Sequence, residues 1–176
     1  MTKNKVLNKR LWMVGIHLVF IGAWLGTTIV LFVLTLMTTW PIDANVRVAL
    51  PEIVYLLDVR VMRIAGIGTI ITGGVLAASY WGFARFYWVL VKEVVSLSLV
   101  VIGATWLEPI EKKAMSYTSA NGINALQNLQ FLHVHEQILW TLASWIFAMP
   151  CLVFISKFKP WGKIKRTSQA EKHSHS

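Results

Sequence analysis

Ionisable side chains inside apolar sequence are the residues of this chain most able to carry chemistry. His17 lies within residues 11–42, a run that contains no Asp, Glu, Lys or Arg. An imidazole in such surroundings needs a hydrogen-bond partner or a ligand, because burying an unsatisfied polar group costs free energy. Ionisable groups inside membrane segments are rare and tend to be functional. His17 is therefore the first candidate site residue.

Counting residues from the predicted helix ends places other reactive groups at the depth of His17. His17 and Lys92 each lie six residues inside their helices, or about 9 Å at 1.5 Å per residue. Glu93 and Met149 lie at similar depth, and Cys151 lies slightly closer to the helix end. An imidazole, a thioether and a cation suit haem b with a propionate near Lys92, or Cu(I) between imidazole and sulfur. Alternatively, Lys92 reaches the headgroups and Met149 only packs.

A second polar layer is predicted at the opposite ends of the helices. We call it the outer layer, and we call the layer of His17 and Lys92 the inner layer. Arg63 opens the second helix, and it could pair with Asp58 or Glu136 or bind an anionic headgroup or haem propionate. His133 and His135 would point about 200° apart on a helix, so they could share an ion only in an extended segment. Most of the membrane thickness separates the layers, which disfavours a single haem ligated by both His17 and His133. The candidate metal ligands of the two layers are His17, His133 and His135.

The composition is that of an integral membrane protein. The chain has 176 residues, of which 56% are hydrophobic and 14% charged, whereas soluble domains have about 25% charged residues. The net charge of +9 could suggest nucleic acid. The basic residues crowd the chain ends and flank the apolar runs, as membrane topology requires, so the expected partner is a lipid bilayer and not nucleic acid. The single cysteine excludes an internal disulfide.

Four apolar runs predict an all-α, four-helix transmembrane bundle within residues 1–160. The predicted spans are residues 11–37, 59–80, 86–107 and 137–156. Helical spacing in residues 121–136 indicates that the fourth helix begins before its apolar run. The N-terminal segment, Arg85 and the C-terminal segment carry most of the basic residues, which predicts cytoplasmic termini in a multi-pass plasma-membrane protein. Residues 161–176 are predicted to be a polar, disordered tail.

Two sets of residues carry a family resemblance. They are Leu11-Trp12, His17, Trp24 and Gly26, and then Thr72-Gly73-Gly74, Trp81-Gly82, Arg85 and Tyr87-Trp88-Val89-Leu90-Val91-Lys92. With these residues the chain resembles a family of small bacterial four-span membrane proteins of unknown function. It is more distantly similar to copper-resistance D-type domains and the four-helix protoporphyrinogen oxidase. The similarity to the oxidase implies functional roles for His17 and Lys92, and that to the copper-resistance domains implies metal handling.

Three functions are consistent with these observations. The leading hypothesis is a haem-like cofactor bound in the bundle through His17, with Lys92, Met149, Arg63 and an outer histidine assisting, for haem sensing, haem handling or redox chemistry. The second is a non-enzymatic structural or accessory subunit, assembled with another membrane protein or with copies of itself. The third is copper or proton translocation that uses His17 and Glu93. The sequence does not single out a reaction.

Overall fold

The computed structural model describes residues 2–81 and 86–158, and the elements of these residues are helices joined by turns. Four continuous helical segments are long and apolar enough to cross a membrane. They are Leu7–Met37, Ala44–Ser79, Tyr87–Gln127 and Leu129–Phe158. The predicted all-α, four-helix membrane architecture is therefore confirmed. The predicted tail, residues 161–176, lies outside the described residues. So do residues 82–85, which connect the predicted second and third spans.

The first segment is a single helix, α1, from Thr2 to Met37. Its threonine hydroxyls do not remain unsatisfied in these apolar surroundings. The Thr28 hydroxyl donates to the Trp24 carbonyl at 2.9 Å, and the Thr35 hydroxyl donates to the Leu31 carbonyl at 2.8 Å. Such bonds to the carbonyl four residues earlier allow threonine inside a membrane helix.

The second segment is longer than the sequence predicts. It consists of α2 (Ala44–Leu57), a π-helical turn (Asp58–Met62), α3 (Arg63–Leu76) and a second π-helical turn (Ala77–Trp81). The carboxylate of Asp43 caps α2 by accepting hydrogen bonds from the backbone N–H groups of Asn45 and Val46 at 2.9 and 3.3 Å. This cap starts the helix before its most apolar stretch, which is why a hydropathy-based boundary at residue 59 is late.

The third segment also continues past its predicted end at residue 107. It comprises α4 (Tyr87–Ile102), a π-helical turn (Gly103–Leu107), α5 (Glu108–Asn121) and a 3₁₀ turn (Gly122–Gln127). Pro109 does not stop the helix, because it lies in the first turn of α5, where proline is tolerated. Gly122 ends α5 with a positive φ of 55°, a conformation that glycine adopts without steric cost.

The last segment is α6, from Leu129 to Phe158. It begins eight residues before the predicted span, as the helical spacing indicates. Pro150 lies inside it and has no N–H to donate to the carbonyl of Ile146.

Helix α1 is central, since it packs against α2, α3 and α6, while α4 packs against α3 and α6, and α5 against α2 and α6. The core residues that fill the space between them include Trp24, Leu31, Leu99, Leu142 and Trp145. Large apolar side chains also cover the outer faces, for example Val19, Ile71 and Phe147. These faces suit contact with lipid acyl chains, because the segments are those that could cross the membrane.

Candidate functional site

A cavity of about 200 Å³ lies between α1, α3, α4 and α6, and we call it the His17 cavity. The predicted inner-layer residues His17, Lys92, Glu93 and Met149 all line it. Its other polar lining residues are Thr69, Ser96 and Ser156. Counting depth along the helices therefore identified side chains that the fold brings together. Cys151, expected nearby, has a free thiol but is not among the residues that line the cavity.

The imidazole of His17 is held in one orientation by Thr72. His17 is 9% exposed, and its Nδ1 lies 2.8 Å from Thr72 Oγ1. The Thr72 hydroxyl donates its single hydrogen to the Gly68 carbonyl at 2.6 Å, so it accepts a hydrogen bond from His17. The backbone of Thr69 also lies within hydrogen-bonding reach of the ring. A proton on Nδ1 is consistent with the Thr72 contact and would leave a lone pair on Nε2. Such a nitrogen can bind a metal or accept a proton.

Gly73 provides the space in which His17 and Glu93 approach each other. A Cβ atom at Gly73 would lie 3.1 Å from His17 Cε1 and 3.1 Å from Glu93 Oε1. Any larger residue would therefore crowd both groups at once. The imidazole edge and the carboxylate are close neighbours because position 73 carries no side chain.

Lys92 and Glu93 form a largely enclosed ion pair beside the histidine. Lys92 Nζ lies 4.0 Å from Glu93 Oε1, and the two side chains are 15% and 11% exposed. The ammonium also lies 6.0 Å from the centroid of the Trp88 ring, at the limit of a cation–π contact. Lys92 is therefore held inside the bundle and does not extend freely to the headgroups.

Met149 brings a thioether to the cavity from the opposite helix. Its side chain is 5% exposed and lines the cavity together with Leu152 and Val153 of α6. It directly precedes Pro150, where the hydrogen bonding of α6 is interrupted. Thioether and imidazole are both ligands for soft metal ions and for haem iron.

The residues of the predicted outer layer contact one another within the chain. Arg63 lies 2.7 Å from a carboxylate oxygen of Glu108 and 3.5 Å from one of Asp58. Of the two expected acidic partners, Asp58 is thus found. Glu136 instead accepts a hydrogen bond from the indole of Trp140 at 3.3 Å. Arg63 also lines a small cavity of about 20 Å³ with Asp58 and Trp145.

The two outer histidines have different environments, as their spacing predicts. His135 is 7% exposed, and its Nε2 donates to the carbonyl of Thr35 at 2.8 Å. That carbonyl belongs to the last turn of α1 and also accepts a hydrogen bond from the backbone N–H of Thr38 at 3.2 Å. His133 is exposed beside Gln137. The structure does not bring His17 together with either residue, and within residues 2–81 and 86–158 no three His, Cys, Asp or Glu side chains converge on a metal position.

The sequence does not point to Glu111, because this residue follows the predicted end of the third span at residue 107. Its side chain has no exposed surface, and its carboxyl group lies beside that of Asp58, with which it interacts. The charged groups of Asp58, Arg63 and Glu108 lie near it. The spacing of Glu111, Ala114 and Thr118 on one helix face is the signal that could have revealed its burial. Thr72 was also missed as the partner of His17.

No family model, curated protein or solved structure matches this chain. The family resemblance seen in the first three helices therefore stays a prediction. Evidence about function comes from the geometry of the molecule itself.

Proposed function

We propose that this multi-pass membrane protein binds a haem-like cofactor in the His17 cavity, through Nε2 of His17. The observation that carries the proposal is the 2.8 Å contact between His17 Nδ1 and the Thr72 hydroxyl, since a ring held through Nδ1 would offer Nε2 to a ligand. Histidines that ligate metals almost always donate their other ring N–H to a partner in this way. The expected roles are haem sensing, haem handling or redox chemistry.

The other lining groups suit the same cofactor. The Lys92 ammonium would pair with a propionate, and the Met149 thioether is a second candidate ligand for the iron. When bound, the haem iron would supply one-electron redox chemistry or gas binding. The donor set therefore fits haem b. The cavity of about 200 Å³ is smaller than most ligand sites, which span about 300–1,000 Å³, so it would enclose only part of a porphyrin.

The first test is an absorption spectrum of the purified protein, oxidised and then reduced with dithionite. We expect a Soret band and a reduced α-band in protein made with ample haem supply. Replacement His17→Ala should abolish both bands. Replacement Thr72→Val should weaken haem affinity by about 10- to 100-fold, and Thr72→Ser should restore it. His133→Ala is the matched control, since this histidine is exposed, and unchanged haem binding by His17→Ala would refute the proposal.

Copper is an alternative ligand for the same cavity. Cu(I) could bind between the His17 imidazole and the Met149 thioether, and Glu93 would be the neighbouring group for proton transfer in a translocator. Metal analysis separates the cases: copper retained by wild-type protein and lost in both His17→Ala and Met149→Leu, without a Soret band, would favour copper over haem.

The second candidate function is a structural or accessory subunit. It is favoured by the outer layer, where Arg63 and His135 contact other parts of the same chain. This function predicts a colourless protein that co-purifies with another membrane subunit or with copies of itself. A Lys92→Ala variant should then assemble normally.

The distribution of charge supports a topology for either function. Basic residues precede the apolar part of α1 and follow α6. By the positive-inside rule we propose that both termini lie in the cytoplasm of a bacterial cell, in its plasma membrane. Labelling of single cysteines introduced near each terminus, in intact and in opened cells, tests this orientation.

A further inference from the structure

The His17 cavity has lining residues that also face outward. Leu18 of α1 is 60% exposed and Val153 of α6 is 50% exposed, yet both line the cavity. A side chain that borders a cavity and is also half exposed forms its rim. The His17 cavity therefore opens on the outer surface of the bundle, between α1 and α6.

That rim lies within the apolar segments. Leu18 is in the span Leu7–Met37, eleven residues from its start, and Val153 is in the span Leu129–Phe158, five residues from its end. At this position the outer faces of both helices carry further apolar side chains, including Val19 and Phe154. An opening bordered by such residues faces lipid acyl chains, because these segments are the ones that could cross the membrane.

The cavity is polar at one side and apolar at the other. His17, Lys92 and Glu93 lie inside, where the two charged side chains are 15% and 11% exposed. Leu18 and Val153 lie at the rim. A ligand that matches both sides has a polar or anionic group at one end and an apolar body at the other, since each part would then keep a compatible environment.

We propose that the ligand of the His17 cavity is an amphiphile dissolved in the bilayer, and that it enters sideways between α1 and α6 with its polar group directed toward Lys92. This inference rests on the proposed function in that the ligand binds at His17. Haem b belongs to this class, because it joins an apolar macrocycle to anionic propionates. Because the cavity is too small to enclose a whole porphyrin, the rest of a bound macrocycle would extend through its open side.

The test measures how fast haem reaches the site from lipid. Apo-protein in vesicles receives hemin from donor vesicles, and the Soret shift is followed by stopped flow. Replacements Leu18→Trp and Val153→Trp add bulk at the rim and should slow uptake by about tenfold or more, with little change in final occupancy. The matched controls are Val30→Trp and Phe147→Trp, which are exposed on the same two helices and do not line the cavity; their rates should stay at the wild-type value.

A second measurement identifies the source of the ligand. With sideways entry, the wild-type rate should follow the mole fraction of hemin in the bilayer and not its concentration in water. If both tryptophan variants bind poorly because they misfold, Leu18→Ala still tests the route, since a wider rim should speed uptake. Wild-type rates in the rim variants, or a rate set by aqueous hemin, would overturn sideways entry. Loss of the proposed function is a separate result, namely haem binding that survives His17→Ala.

Discussion

The inner and outer halves of the bundle both bury ionisable groups, but those of the inner half line a cavity of about 200 Å³, whereas Arg63 and Asp58 of the outer half line one of only about 20 Å³. In the outer half, Arg63 contacts two carboxylates and His135 donates to a backbone carbonyl. In the inner half, Thr72 contacts one nitrogen of His17, and the histidine lines the cavity together with Lys92 and Glu93. The contrast shows that burial alone does not indicate function. A buried group whose hydrogen bonds are all made within the protein supports folding. A buried group that faces a cavity is available to a ligand.

The largest effect that would sharpen this contrast is loss of the outer cation. Arg63→Ala should lower the free energy of unfolding by about 3–5 kcal/mol, because it leaves the Asp58 and Glu108 carboxylates without their partner. Denaturation of the detergent-solubilised protein measures the change. Arg60→Ala is the matched control, since Arg60 is exposed one turn away, and haem affinity should not change in either variant. Equal stability of the two variants would contradict a structural role for the outer ion pairs.

Removing the outer histidine should have a smaller effect of the same kind. His135→Ala deletes a buried side chain and its bond to the Thr35 carbonyl, so we expect a loss of about 2 kcal/mol in unfolding free energy. His133→Ala should change stability by less than about 0.5 kcal/mol, because His133 is exposed. If His135→Ala instead removed bound haem at unchanged stability, the division between the two halves would be wrong.

A change in the inner half should affect binding more than stability. Gly73→Ala places a methyl group against both His17 and Glu93, so haem affinity should fall by about tenfold, or about 1.4 kcal/mol. Gly22→Ala is the control in a helix position where a Cβ meets nothing within 4 Å. It should leave affinity unchanged and raise stability slightly, since alanine favours helix over glycine. Titration with hemin checks both, and equal affinities would show that Gly73 does not shape the site.

The smallest expected effect concerns Glu111, whose buried carboxyl group lies beside that of Asp58. Glu111→Gln keeps the shape and can donate an N–H to Asp58 in place of the carboxyl hydrogen, so the unfolding free energy should change by less than about 1 kcal/mol. Thermal unfolding in detergent measures the change. A larger loss of stability would mean that an amide cannot replace the carboxyl group in its contact with Asp58.

Depth counting along the helices predicted much of the inner site. His17, Lys92, Glu93 and Met149 lie on three helices, at positions that a rise of 1.5 Å per residue puts at one level, and they line one cavity. Thr72 could not be singled out, because threonine is common in apolar helices and nothing in the sequence shows which one reaches an imidazole. Its role depends on how α1 and α3 pack.

The outer site was harder to predict because the helix ends were misjudged. Apolar sequence fades after residue 107, although packing against α2 and α6 continues the helix through α5. Glu111 was therefore interpreted as a loop residue, whereas one face of α5 buries it completely. Hydropathy marks where a chain contacts lipid, but tertiary contacts decide where a helix ends.

The π-helical turn Asp58–Met62 joins α2 to α3 without a break. Such a turn holds one more residue than the α-helix, which rotates everything beyond it by about 100°. The alignment of Thr72 with His17 is thus determined in part ten or more residues earlier in the chain. Deleting a single residue from this turn should convert it to a regular α-helical turn and keep Thr72 facing His17, whereas closing the turn as α-helix without a deletion would rotate Thr72 out of register. Comparisons of related chains should therefore allow a one-residue gap at residues 58–62 without inferring a change of the site.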